Sequence, residues 1–396
     1  MLNFQFYSPT EFVFGRGTEN EAGKLVKKYG GTKVLIHYGG GSVMKSGLYD
    51  RTVRSIEAAG LRHVSLGGVR PNPVDALVYE GIELVRREGV DFILGIGGGS
   101  AIDSAKAIAA GVPYEGDFWD FYAGTARPAK TVKLGCIITL PATGTEGSDS
   151  SVITRSDGMY KRGMSSDFNR PLFSIMNPEL TFTLPPYQTA SGIVDMMAHI
   201  MERYFTNTRN VDVTDRISEA LLTSIVNQAG RVMREPENYD ARAEIMWAGM
   251  LAHNNLCGVG RETDFSVHQM EHELSAKYDV AHGAGLAALY PAWMQYQMDQ
   301  NPMRLAEFAV RVFGAEMNFE DPVVTAWDGI RKLAAFYASV DMPVNLRQLD
   351  ARIEETDIPE LVAKVRRKKD GLVGNFRPLS DADLANIYKL ALDWQA

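Results

Sequence analysis

Early in the chain, short apolar and β-branched stretches run into glycine-rich turns and then into amphipathic, alanine- and charge-rich stretches. This alternation restricts the fold more than any other feature. A period that switches from strand-like to helix-like at each turn reads as a series of βαβ units. The strand candidates are Lys33–Tyr38, Arg62–Leu66, Asp91–Ile96, Lys133–Thr139 and Phe173–Met176, with helical stretches such as Tyr79–Glu88 and Ala101–Ala110 between the earlier ones. Alternation of this kind predicts an α/β domain, a parallel sheet covered by helices on both faces.

The pattern changes after Leu184-Pro185-Pro186, where the prolines fix φ and remove backbone donors ahead of a new helix. Beyond that point the sequence is rich in Ala, Leu, Met and Glu at helical spacing, as in Ile217, Leu221 and Ile225. The expectation is an α/β dinucleotide-binding domain over 1–186 and an all-helical domain over 187–396. A length of 396 residues with 45% hydrophobic content supports two cores, since single cores stop growing near 250–300 residues.

Charge and cysteine content exclude several classes of function. Lys and Arg number 41 against 49 Asp and Glu, a net −8, and the one basic run, Arg366-Arg367-Lys368-Lys369, reads as a solvated helix face. No nucleic-acid partner is expected. Cys136 and Cys257 lie far apart and offer neither a disulfide framework nor a cysteine zinc site, which suits a reducing cytoplasm. No apolar run approaches the ~20 residues of a membrane span, so a soluble protein without a membrane partner is expected.

Two strand candidates end in near-identical turns, Gly39-Gly40-Gly41-Ser42 and Gly97-Gly98-Gly99-Ser100, and the second leads into a helix near Ala101. Glycine lets a phosphate approach the backbone, and a helix N-terminus offers unpaired N–H groups, so Gly97–Ser100 is the candidate pyrophosphate site. The first turn bears on the choice of nucleotide. An NAD site presents a carboxylate to the ribose diol, whereas a 2′-phosphate calls for hydroxyls, amides or a cation. Here Lys45 follows the turn and no acid precedes Asp50, which favours NADP(H) over NAD(H). A third polar cluster, from Thr139 through Thr143 to Ser148, follows the fourth strand and suits the crevice where open α/β sheets bind ligands.

The second domain carries the metal-ligating pattern. Asp195 lies in Ala190–Met201, a stretch apolar almost all round, and a buried carboxylate there needs a cation, a metal or a raised pKa. His199 follows one helical turn later on the same face. His268 and His272 repeat that spacing, and His282 comes 14 residues after His268. A straight helix would separate His268 from His282 by ~21 Å, so the chain must bend near Tyr278-Asp279. One carboxylate and three imidazoles suit Fe²⁺ or Zn²⁺. His37, His63 and His253 have no such setting and read as structural.

With these residues in view, the sequence resembles the iron-containing (group III) alcohol dehydrogenases, in particular the NADP-dependent butanol dehydrogenase and aldehyde reductase branch. The resemblance runs from Phe14-Gly15-Arg16-Gly17 through both Gly-Gly-Gly-Ser turns, Pro71-Asn72-Pro73, Asp103 and Pro141–Glu146 to Asn177-Pro178-Glu179-Leu180. It continues through Asp195 and His199 to His268, His272 and His282-Gly283. It implies a Rossmann-like N-terminal domain and a helical C-terminal domain, the architecture of dehydroquinate synthase, with an active site in the cleft between them and a homodimer. By the same resemblance Asp195, His199, His268 and His282 match the metal ligands, and His272 matches a non-ligand histidine beside the nicotinamide. Gly39, Gly40, Gly41, Ser42, Asn72, Gly97, Gly98, Gly99, Ser100, Asp103, Thr139, Thr143, Ser148 and Lys161 match positions around NADP. Glu262 and Thr263 depart from the smaller residues of relatives, which bears on substrate size.

The expected reaction is interconversion of primary alcohols and aldehydes such as butanol and butanal. The metal polarises the substrate oxygen, the nicotinamide carries the hydride, and His272 relays a proton or orders the substrate. A glycerol dehydrogenase-like polyol oxidation and a non-redox metallohydrolase are the alternatives.

Overall fold

In a computed structural model that describes residues 1–395, the chain divides into two compact units, Tyr7–Leu184 and the helical remainder from Pro185 onward. The first six residues pack with the helical unit: Leu2 N–H donates to the Gly260 carbonyl at 2.8 Å, and the Met1 ammonium donates to the Arg209 carbonyl at 3.0 Å.

The α/β unit contains strands β1 (Glu11–Phe14), β2 (Lys33–Tyr38), β3 (Arg62–Leu66), β4 (Phe92–Gly97), β5 (Lys133–Ile138), β6 (Ser150–Arg155), β7 (Tyr160–Ser165) and β8 (Phe173–Met176). Its helices are α1 (Ala22–Lys28), α2 (Gly41–Lys45), α3 (Leu48–Ala58), α4 (Asp75–Glu88), α5 (Gly99–Gly111) and α6 (Trp119–Ala123). Six strands form one parallel sheet in the order β1-β8-β5-β4-β2-β3, with Ile36 opposite Leu94 and Leu94 opposite Gly135. Every residue of the central β4 is buried, as expected of a parallel strand covered on both faces. Alternate residues feed two separate cores. Leu35, Ile93 and Leu134 pack with Val78, Ile82 and Ile108, while Val34, Ile36, Phe92 and Leu94 pack with Leu25, Val26 and Ile56.

Two features were not legible beforehand. The edge strand β1 is only four residues long, and β6 and β7 form an antiparallel pair outside the main sheet. Helix α5 also begins at Gly99 rather than near Ala101, because Gly98 serves as its N-cap and Gly97, at φ 149°, makes the turn. His37 is a buried structural residue: Nδ1 donates to the Leu66 carbonyl at 2.9 Å and Nε2 accepts from Ser104 at 2.8 Å. Burial holds its pKa down to about 4 despite that carbonyl.

The second unit contains α7 (Pro186–Tyr204), α8 (Asp212–Arg234), α9 (Tyr239–His253), α10 (Ser266–Tyr278), α11 (His282–Tyr296), α12 (Pro302–Phe313), α13 (Pro322–Ser339), α14 (Leu346–Leu349), α15 (Ile358–Lys364) and α16 (Asp381–Leu392). Among its described residues there is no strand, only an isolated bridge between Val373 and Leu379. Pro186 occupies the first turn of α7, where a missing N–H costs nothing. Helices α7 and α11 form the centre of the core, buried along nearly their whole length.

Gly283 sets how closely these two helices approach. A Cβ at that position would lie 1.9 Å from the Ser191 carbonyl oxygen, so only glycine lets the start of α11 rest on α7. Gly283→Ala should therefore cost about 1–3 kcal/mol of stability, the usual penalty of overpacking. Denaturant unfolding of the variant would measure this, and an unchanged midpoint would show that the contact relaxes freely.

Candidate metal centre

Helix α7 is apolar on nearly every side, yet its middle carries Asp195 at 2% and His199 at 6% exposure, one turn apart on one face. Helix α10 brings His268 and His272 to the same region. It ends where Asp279 adopts the left-handed conformation at φ 56°, and α11 then starts at His282. The chain bends between His268 and His282, which lets two residues far apart in sequence face a common point.

That point is Asp195 Oδ1. His199 Nε2 lies 3.3 Å from it, His268 Nε2 3.6 Å and His282 Nε2 3.8 Å. Ligand atoms of Asp195, His268 and His282 all fall within 4.8 Å of one another, and the His199 ring stacks on that of His268 with centroids 4.4 Å apart. Asp195 Oδ1 and His268 Nε2 are both buried without a hydrogen-bond partner. The other ring nitrogens of His268 and His282, both Nδ1, touch the carboxylates of Glu202 and Glu271. With Nδ1–H directed to those carboxylates, the Nε2 lone pairs face another acceptor, which is unfavourable unless a cation lies between them. The donor set therefore fits a divalent ion, with one carboxylate and three imidazoles as candidate ligands.

The electrostatics agree. Burial alone would push the His268 pKa down, but Glu202 and Asp195 outweigh it and raise the value to about 9, so this spot favours positive charge. His199 is held well below its ordinary value, by burial first and then by His253, His268 and Arg203.

His272 is buried one turn beyond His268, its ring centroid 6.4 Å from that of His268 and 5.6 Å from that of His282. It falls in an overlapping group with Glu271 and His282, not in the group around Asp195. His253, read as structural from the sequence, lies against His199 with ring centroids 3.9 Å apart, and its Nδ1 is 3.1 Å from the Arg203 guanidinium. No spacing rule links α9 to α7, so only packing revealed that contact. Glu202 and Glu271 were also missed, although each follows a candidate ligand by three residues, a same-face helical spacing that could have pointed to them. Glu262 is exposed, its N–H bound to Thr208 Oγ1 at 3.1 Å.

In the α/β unit, the structure brings most of the candidate nucleotide residues to the C-terminal ends of β2, β4 and β5. Gly40 caps α2, and a Cβ there would meet nothing within 4 Å. Gly99 packs against Thr143, where a Cβ would sit 2.6 Å from its hydroxyl, and Thr139 N–H donates to the Gly97 carbonyl at 2.9 Å. Asn72, at φ 51°, accepts from Lys161 Nζ at 3.0 Å. Asp103 and Ser148 face inward. Asp103 accepts from Thr145 Oγ1 at 2.6 Å and Val152 N–H at 2.8 Å, and Ser148 is fully buried near Lys106.

Comparison with known proteins identifies the lineage. Residues 9–178 match the iron-containing alcohol dehydrogenase family, and residues 189–392 match the C-terminal part of the Fe-containing alcohol dehydrogenase family. The chain belongs to the iron-containing alcohol dehydrogenases. It is 38% identical to the probable NADH-dependent butanol dehydrogenase 1 of Bacillus subtilis, over 99% of this chain and 100% of the relative. It is 34% identical to the NADPH-dependent aldehyde reductase YqhD of Escherichia coli, over 92% of this chain and 93% of that one. The crystal structure of NADH-dependent butanol dehydrogenase A from Thermotoga maritima superposes with a TM-score of 0.95 at 40% identity, covering 99% of each chain. Membership makes the protein an NAD(P)-dependent oxidoreductase of alcohols and aldehydes, which sets the hydrolytic alternative aside. No helix among the described residues is long and apolar enough to cross a membrane.

Lys106 fixes the loop that carries Thr143 and Ser148. Its fully buried ammonium donates to the carbonyls of Thr145, Ser148 and Ser150 at 2.7, 2.9 and 2.8 Å. Lys106→Met would leave these acceptors buried and unpaired, a cost of at least about 2 kcal/mol. Chemical denaturation should show that loss, and wild-type stability in the variant would contradict the role given to Lys106.

Proposed function

We propose that this dehydrogenase holds one divalent ion, Fe²⁺ or Zn²⁺, through Asp195, His199, His268 and His282, and uses NADP(H) to interconvert primary alcohols and aldehydes of the butanol and butanal type. The observation that carries the metal assignment is the buried, unpartnered Asp195 Oδ1 faced by three imidazole Nε2 atoms.

When bound, the ion supplies Lewis acidity toward the substrate oxygen and the nicotinamide gives or takes the hydride. The chain's own residues do the rest. Asp195 offsets part of the ion's charge from within an apolar helix. Phe265 lies beside the ligand set, its ring centroid 5.6 Å from that of His268 and 4.7 Å from the Arg203 guanidinium. His272 is buried beside the ligand set without converging on Asp195 Oδ1, which leaves its imidazole to hold or pass the proton that accompanies hydride transfer.

The preference for NADPH rests on the end of β2. Gly39, directly after β2, offers no carboxylate to a ribose diol, and the neighbouring segment is joined to it through Gly68 N–H to the Gly39 carbonyl at 3.1 Å. That segment continues to the exposed Arg70, and Lys45 ends α2, so the local charge is positive. Gly39–Ser42, Asn72, Gly97–Ser100, Thr139, Thr143 and Lys161 are the proposed cofactor contacts, with Asp103 and Ser148 supporting the loop from below. Relatives at 38–40% identity are named NADH-dependent and those at 34% and 29% NADPH- or NADP-dependent, so the support for NADPH comes from the residues of this turn.

Two experiments test the proposal. His268→Ala should lose both bound metal and turnover, whereas His272→Ala should retain metal by elemental analysis and lose mainly kcat. A fully metallated His268→Ala enzyme would refute the ligand assignment. With butanal as substrate, kcat/KM should be at least about tenfold higher for NADPH than for NADH, a difference of roughly 1.4 kcal/mol. Equal use of the two nucleotides would refute the reading of the Gly39–Ser42 turn.

A further inference from the structure

Behind the candidate ligands lie two carboxylates. Glu202, on α7 and fully buried, accepts from the Val267 N–H at 2.7 Å and the His268 N–H at 3.1 Å, and its other oxygen contacts His268 Nδ1. Glu271, on α10 and also fully buried, contacts His282 Nδ1 and the Ser275 hydroxyl. Each glutamate lies three residues beyond a candidate ligand of its own helix and reaches a ligand of the next: α7 orients His268 on α10, and α10 orients His282 on α11.

We propose that Glu202 and Glu271 are positioning residues for the metal, each accepting the Nδ1–H of a ligand imidazole so that Nε2 of His268 and of His282 is presented toward the ion beside Asp195. The inference rests on the metal reading above. A neutral imidazole can carry its proton on either nitrogen, and the hydrogen bond made by one nitrogen decides which atom remains a ligand. A carboxylate partner also raises the donor strength of the opposite nitrogen and locks the ring plane. The arrangement makes the site self-consistent across three helices, because the residues that hold His268 and His282 are fixed by the same packing that places Asp195. Gly285 belongs to this device: a Cβ there would lie 2.7 Å from Glu271 Oε1, so glycine makes room for the carboxylate between α10 and α11. His199 lacks such a partner, its Nδ1 being buried without a hydrogen bond.

The test uses apo full-length enzyme and Zn²⁺ alone, with affinity read by competition against a chromophoric chelator. Glu202→Gln keeps one oxygen for the Val267 and His268 N–H groups but sets an amide NH2, a donor, where the second oxygen met His268 Nδ1, and Glu271→Gln does the same behind His282 while its remaining oxygen accepts from Ser275. Each should weaken Zn²⁺ binding about 10- to 100-fold while the unfolding midpoint of the apo protein stays near that of the apo wild type. The visible spectrum of the Co²⁺-loaded protein should shift in both variants, which a purely structural role would not produce. Ser275→Ala, which spares the glutamate, should bind Zn²⁺ nearly as the wild type does. Should a glutamine variant fail to fold, Glu271→Asp retains the charge but withdraws it by one methylene, and it should weaken Zn²⁺ in the same direction. Wild-type Zn²⁺ affinity in the folded Glu202 and Glu271 variants would overturn the inference. Absence of stoichiometric Zn²⁺ in the wild type would instead overturn the metal reading beneath it.

Discussion

Asp195 places a carboxylate in the middle of a helix whose neighbours Val194, Met196, Met197 and Ile200 are wholly buried, and most of the helical unit can be understood as an answer to that charge. An unpaired carboxylate in such surroundings is strongly unfavourable, and among the described residues no lysine or arginine pairs with it. What surrounds it instead is a set of imidazole nitrogens at distances too long for good hydrogen bonds. The carboxylates of Glu202 and Glu271 then add further negative charge behind the rings. Such a cluster calls for positive charge, and the raised pKa of His268 expresses that demand through a proton.

The two units solve the problem of placing polar groups in different ways. In the helical unit, precision comes from close helix contacts, with Gly283 against Ser191 and Gly285 against Glu271, so that side chains on rigid elements meet at one point. In the α/β unit the candidate contacts lie on turns, and turns need their own support. Lys106 supplies it by spending its buried ammonium on three carbonyls of the loop after β5, while Asp103 ties Thr145 and Val152 to α5. Burial lowers the Lys106 pKa, with Asp103 opposing that shift, so the amine is retained in the interior only because its protons are fully used.

Much of the fold was legible because hydrophobic period is a local signal. Lys33–Tyr38, Arg62–Leu66 and Phe173–Met176 appear as strands with those same limits, since β-branched runs bounded by turn residues leave little choice. The edge strand β1 and the β6–β7 pair were not legible. A four-residue strand has too short a pattern to stand out, and β6 and β7 mix polar, charged and apolar residues without a regular alternation, although Ile153 and Met164 join a core. In the site, the spacing of Asp195 with His199 and of His268 with His272 is helical and could be read directly. The bend at Asp279 could be inferred from the distance a straight helix would impose.

The sequence by itself determined the α/β and helical character of the two halves, the two glycine-rich turns and the family. These follow from short-range periodicity and from motifs that keep their spacing in any conformation of the chain. Tertiary structure alone decided that three Nε2 atoms converge on one oxygen of Asp195, that His253 lies against His199, and that Glu202 and Glu271 stand behind His268 and His282. It also turned Asp103 and Ser148 inward, toward the loop they support. The physical reason is the same in each case. These contacts join residues on different helices, or on a helix and a distant loop, and their distances are set by packing in three dimensions, which no local period of the sequence encodes.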